Sequence, residues 1–262
     1  MIGRALAGLL LAGALALGAR ATRSLSKSGA IAALAVGTAS TIAGWSWAVV
    51  LIAFFLTSSA LSKFRRAARE ARIAGIVEKS DERDATQVLA NGGIFAAAAL
   101  ASVTSGQPVL ATAALGALAA AAADTWATEI GTLAGGVPRS VASLQPLPPG
   151  TSGGVTAAGT LASFAGAAFV AAVAYLAGAG RAPAAVFAVF IGGVAGSVAD
   201  SLLGAVVQER RWCDHCATAT EQRVHQCGAA TRVVGGIAGV RNDAVNVLCT
   251  VVGAIVATLI AR

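Results

Sequence analysis

Eight apolar runs divide the chain: Ala5–Ala19, Gly29–Ala43, Trp45–Leu61, Val88–Val103, Pro108–Ala123, Gly159–Ala179, Pro183–Val207 and Ala244–Ile260. They are apolar on every side, without the alternation of a half-buried strand. A helix needs about 20 such residues to cross a bilayer. The pattern therefore predicts an all-α, polytopic membrane helical bundle of about eight spans, or six to seven with re-entrant hairpins. Residues 1–262 form one integral membrane domain. It carries an amphipathic segment at about 62–87, whose basic side suits phospholipid headgroups, and a polar Cys/His loop at about 208–232. The first run follows Arg4 and imitates a signal peptide, but equally apolar segments come after it, so it is read as a span.

Composition sharpens this. Hydrophobic residues make up 56% of the chain, charged residues 12%, and mean hydropathy is +0.76. A soluble domain is about a quarter charged, so both an ordinary soluble enzyme and a disordered chain are excluded. The 31 glycines suit close helix packing in lipid, where no hydrophobic effect draws helices together.

The net charge of +7 would suggest nucleic acid in a soluble protein. Here the positive-inside rule gives the simpler account. With the loop after the first run inside, only Arg4, Arg181 and Arg262 fall outside, three of the 19 basic residues. Both termini are then extracytoplasmic, and no nucleic-acid partner is expected. Membrane lipids are the natural neighbours, and oligomerisation stays open.

Acids within apolar runs are costly and tend to be functional. Asp124 and Asp200 lie toward the cytoplasmic ends of their helices in similar settings, Ala-Asp-Thr125 and Ala-Asp-Ser201, a weak echo of a duplicated hairpin. Asp243 opens the last run. Thr128, four residues after Asp124, shares its helix face. Glu129, five residues on, reaches the same site only if the helix unwinds or ends. Carboxylates converging at a membrane surface suit Mg²⁺ together with substrate phosphates, with Asp124 and Asp200 as the expected ligands. Asp124, Glu129, Asp200 and Asp243 are the catalytic candidates.

Gly150-Thr151-Ser152-Gly153-Gly154 precedes a helix expected to start near Val155. Glycines let backbone N–H groups approach an anion at a helix N-terminus. With Arg139 nearby, this loop is a candidate phosphate cradle, although it lacks a Walker lysine. Arg241, Asn242 and Asn246 form a further polar group at the last helix, and Asn91 is a weaker candidate with a structural leaning. Cys213-x-x-Cys216 with His225-x-Cys227 has the donors of a structural Cys₃His zinc site, with His215 as an alternative ligand and free thiols as the competing reading. Cys249, in an apolar run, reads as packing.

Four blocks in order, AAADTWATEIG (Ala121–Gly131), GTSGG (Gly150–Gly154), GSVADSLLGAVVQ (Gly196–Gln208) and NDAVN (Asn242–Asn246), resemble the phytyl-phosphate kinase family, which includes the transmembrane protein 19-like proteins. The resemblance runs from about Ser26 to Ile260, and its specificity lies in the combination. It implies phosphoryl transfer from a nucleoside triphosphate, with CTP suggested as donor, to an isoprenoid monophosphate. The Cys/His loop looks like that of prokaryotic members and is outside the implied chemistry. Competing readings are an ion-coupled transporter or lipid flippase, which would hold its acids at the bilayer midplane, and a CTP-dependent lipid alcohol kinase or CDP-lipid nucleotidyltransferase.

Overall fold

The computed structural model describes residues 2–64, 76, 82–180 and 182–262. Eight helices are described: α1 Ile2–Ala21, α2 Lys27–Ala43, α3 Trp45–Lys63, α4 Ala85–Ser105, α5 Pro108–Ala134, α6 Ala157–Ala177, α7 Pro183–Val206 and α8 Asn242–Ile260. Each overlaps one apolar run. Seven are long and apolar enough to cross a membrane, and α2, with 17 residues, is the exception. Most of the amphipathic segment expected at 62–87 lies outside the described residues.

Local chemistry sets the helix boundaries. Ser26 caps α2 and Thr156 caps α6, each accepting the third N–H beyond it. Asp84 and Gln87 form a capping box that starts α4. Pro108 and Pro183 open α5 and α7 at the position where a helix loses no N–H bond. Gly44, at φ +153°, separates α2 from α3 in a single residue.

The helices alternate in direction. The C-terminal ends of α1, α3, α5 and α7 therefore gather at one end of the bundle with the N-terminal ends of α2, α4, α6 and α8. The bundle itself is all-α as expected, and the long connections carry short strands. After α5, β1 (Arg139–Ser140) pairs antiparallel with β2 (Gly154–Val155). After α7, β3 (Arg210–Cys213) is the centre of a three-stranded antiparallel sheet with β4 (Thr218–Thr220) and β5 (Arg232–Gly235).

Helix α5 is the core of the molecule. Ala114–Ala123 are all buried, and they pack against α7 and α8 through small residues. A Cβ on Gly196 would lie 2.4 Å from Ala120 Cβ and 2.7 Å from the Cys249 carbonyl oxygen. One on Gly253 would lie 2.6 Å from the Gly116 carbonyl oxygen. Backbones thus meet at glycine, as expected where helices associate by close packing rather than by exclusion of water. Cys249 is buried in this seam, in keeping with a packing role.

Candidate functional site

Helix α5 does not stop at Asp124, as its hydropathy suggests, but continues to Ala134. At 1.5 Å per residue Asp124 lies about 24 Å from the start of α5, and Asp200 about 25 Å from the start of α7. The two helices start on the same side of the bundle, so the acids are at matching depth, toward the end that carries the long connections. Their side chains come within hydrogen-bonding reach of each other. Asp200 Oδ2 is buried without a hydrogen-bond partner among the described residues.

These carboxylates lie in a cavity of about 460 Å³. Of the residues singled out by sequence, Asp124, Thr125, Thr128, Glu129, Gly150–Gly154, Asp200, Ser201, Arg241, Asn242 and Asp243 all line it. Glu129 does so without any break in the helix. Five residues carry it about 140° around α5, and the cavity wraps far enough to include it. There Glu129 Oε1 accepts a 2.6 Å hydrogen bond from Ser62 of α3. Asp243 sits in the first turn of α8 and accepts a bond from Thr86 of α4 at 2.9 Å.

Three candidates are elsewhere. Arg139 is exposed on β1 and donates to the Leu144 carbonyl at 3.0 Å. Asn246 is buried in α8 but does not line the cavity. Asn91 faces a separate apolar cavity of about 90 Å³ between α1, α2, α3 and α4.

The glycine loop is placed differently from the sequence expectation. It does not run straight into a helix. Gly154 belongs to β2, and α6 starts only at Ala157, capped by Thr156. The loop instead lies against α7. Gly153 has φ +78°, and a Cβ there would be 2.5 Å from that of Ala205. Only glycine meets both conditions. Thr151 Oγ1 is buried without a hydrogen-bond partner among the described residues, and Thr156, Gly159, Thr160 and Ser163 bring the N-terminus of α6 to the cavity wall.

Sequence reading overlooked Glu221 and Arg83. Glu221 follows β4 and accepts a hydrogen bond from Ser152, and its charge faces Asp200. Arg83 donates to Ser59, to the Ser58 carbonyl and to Ser62. Its neighbours Asp84-x-x-Gln87 form a capping-box pattern that could have located it at the start of α4. No local signal marks Glu221. Arg83 and Gln87 line both the polar and the apolar cavity.

The module after α7 is clasped at its base. Buried Glu209 accepts the Gly239 N–H at 2.6 Å and a bond from Arg211, which also donates to Thr231. The Gly239 bond, then Arg211, hold the Glu209 carboxyl below its ordinary value of 4.5. A carboxylate with a lowered folded pKa stabilises fully above the unfolded value, and the stabilisation is lost as pH falls through the folded one. Glu209→Gln should therefore weaken the clasp at neutral pH by about 1–3 kcal/mol and flatten its loss in acid. Hydrogen exchange at the Gly239 amide, corrected for the intrinsic rate, measures both. An unchanged acid profile would show that another group is responsible.

Near the tip, Cys213, Cys216, His225 and Cys227 converge, while exposed His215 lies outside the group. His225 and then the Ala229 backbone lower the Cys227 thiol to about 6.

The fold and cavity define a polytopic helical membrane protein with a carboxylate-rich polar chamber near one end of the bundle. Residues 10–254 match the model of the integral membrane protein DUF92 family, and the chain belongs to that family. It is 30% identical over 248 residues to Protein PGR of Arabidopsis thaliana, covering 86% of this chain and 84% of that protein. It is 28% identical over 219 residues to an uncharacterized membrane protein of Methanocaldococcus jannaschii, covering 83% and 77%. A Synechocystis membrane protein is 32% identical over 171 residues, covering 64% and 65%. No solved structure matches the chain.

Proposed function

We propose that this chain is a phosphotransferase that moves the terminal phosphoryl group of a nucleoside triphosphate, with CTP as the leading donor, onto an isoprenoid monophosphate. The observation that carries the reading is the apposed pair Asp124 and Asp200 beside the Gly150–Gly154 loop. Two carboxylates in contact need a cation or a proton between them. The unsatisfied Asp200 oxygen, with Glu221 close by, suits a hard divalent ion such as Mg²⁺. When bound, Mg²⁺ would supply charge neutralisation on the donor phosphates.

The chain's own residues provide the rest. Thr151, the loop backbone and the N-terminus of α6 offer donors to phosphate oxygens. Arg83 and Arg241 bring positive charge to the same chamber. An oxygen of the lipid monophosphate attacks the terminal phosphorus of the donor, a phosphoanhydride bond forms, and the bond to the nucleoside diphosphate breaks. The nucleophile is already an anion, so no strong base is needed. Positioning and charge neutralisation account for most of the rate in such transfers. The apolar cavity shares Arg83 and Gln87 with the chamber, which suits a ligand with a phosphate head and a hydrocarbon tail.

The transporter reading is weaker. Fully buried Ala114–Ala123 pack the bundle beneath the acids, and Asp124, about 24 Å along α5, lies beyond the midpoint of a layer about 30 Å thick drawn from Pro108. By the positive-inside rule the chamber faces the cytoplasm and both termini are outside.

Purified protein in detergent, given each terminally labelled triphosphate with lipid monophosphates and free prenyl alcohols, is expected to place label in a lipid diphosphate only when Mg²⁺ is present. Release of pyrophosphate would indicate a nucleotidyltransferase. Label on free alcohols alone would indicate an alcohol kinase. Uptake into proteoliposomes without consumption of triphosphate would favour transport. Each of these three results overturns the proposal.

A further inference from the structure

We propose that Cys213, Cys216, His225 and Cys227 bind one zinc ion, and that this ion holds the strand that presents Glu221 to the chamber. One ligand atom from each of the four residues lies within 4.8 Å of all the others. Cys213 and Cys227 sulfurs are 3.7 Å apart, and His225 Nδ1 is 3.3 Å from Cys227 Sγ. Four donors at zinc–sulfur and zinc–nitrogen bond lengths occupy a tetrahedron with edges of about 3.3–3.8 Å. All four cysteines of the described chain are free thiols. Three thiolates and one imidazole select zinc over the hard ion suited to the chamber. With four protein donors no coordination position stays open, so the site is structural.

The ligands come from two turns that the sheet brings together. Cys213 ends β3 and Cys216 lies in the turn to β4. His225 and Cys227 lie in a second turn, closed by the bond from Gly228 N to the His225 carbonyl at 2.8 Å. Gly228 has φ +85°, the left-handed conformation that such a turn needs. A metal joining the turns fixes β4 from both sides.

Glu221 is the first residue after β4. Its N–H donates to the Ile76 carbonyl at 2.8 Å, and its carboxylate accepts from Ser152. Thr231, just before β5, donates to the carbonyls of Gln222 and Arg223 at 2.6 and 3.0 Å. Loosening the two turns would therefore release a carboxylate from the chamber roof without disturbing any transmembrane helix. None of the four ligands is among the described residues that line the chamber, and Glu221 is the positioning residue that connects the two sites. The inference does not require any particular reaction in the chamber.

The test begins with metal content of the purified full chain. We expect about one zinc per chain in the wild type and in His215→Ala, and loss of zinc in Cys216→Ser and Cys227→Ser. Cys216 and Cys227 are exposed, so both variants should still fold. Cobalt added to the zinc-stripped protein should give the absorption of a tetrahedral thiolate site, and neither serine variant should. Hydrogen exchange is read in parallel. Stripping zinc should raise exchange at residues 218–222 and in the Gly150–Gly154 loop and leave α5 and α7 protected. A wild type with no zinc and no cobalt spectrum overturns the site, as does zinc retained by both serine variants. Zinc bound with unchanged exchange at Glu221 overturns the positioning role.

Discussion

Asp200→Asn should cut phosphoryl transfer by about 10³-fold, the upper end for losing one electrostatic stabiliser of a transition state, while the protein keeps or gains thermal stability. The two effects have one cause. Asp200 touches Asp124 inside the bundle, and Glu221 adds a third negative charge. Two adjacent buried carboxylates repel, so exchanging one for an isosteric amide removes a penalty from the fold. The same exchange removes a ligand and half of the charge that would hold a divalent ion. Asp124→Asn should behave alike, and the double variant should be hardly worse than either single one, because residues acting as a unit are not additive. Turnover and a detergent thermal-shift assay on the same preparations decide the matter. Lost turnover with a collapsed melting transition would make Asp200 a packing residue, and full activity in both single variants would remove the pair from the mechanism.

The second large effect is structural. Gly196→Val should abolish the folded bundle. The first added carbon would lie 2.4 Å from Ala120 Cβ and 2.7 Å from a backbone carbonyl. Overpacking of a core costs about 1–3 kcal/mol where side chains can shift. Here one of the neighbours is backbone of another helix, so the cost should exceed that range. Gly253→Val meets Ala120 and the Gly116 carbonyl at 2.6 Å each and should fail in the same way. Gly18→Ala is the control. Outside its own helix backbone, no described residue lies within 4 Å of its added carbon, and replacing a helical glycine should stabilise by about 0.5–1 kcal/mol. Monodispersity in detergent and melting temperature separate the cases. A folded, fully stable Gly196→Val protein would show that α5, α7 and α8 need not meet as closely as they do. The two predictions are linked, since the same glycine seam brings Asp124 and Asp200 to one depth.

The eight helices were legible because lipid is a uniform solvent. A chain crossing it must satisfy its backbone bonds within each segment, so the local run of apolar residues is enough to find a span. Most of the chamber was legible for the related reason that acids and glycine-rich loops are conspicuous beside such runs. The limits were equally physical. Hydropathy ends α5 at Asp124, but backbone bonding continues it to Ala134 and carries Glu129 into the wall. Arg139 has suitable charge and suitable position in sequence, yet its strand turns it outward.

What the sequence determined by itself was the solvent, the number of helices and the identity of the acids within them, because each depends on residues a few positions apart. Tertiary structure alone decided that Asp124 touches Asp200, that Gly153 docks on Ala205, that Arg83 joins the chamber to an apolar cavity, and that Glu221 arrives from a loop beyond α7. These partners are separated by tens of residues. Their meeting depends on which helix backbones can approach most closely, a property of the whole packed bundle and of no segment within it.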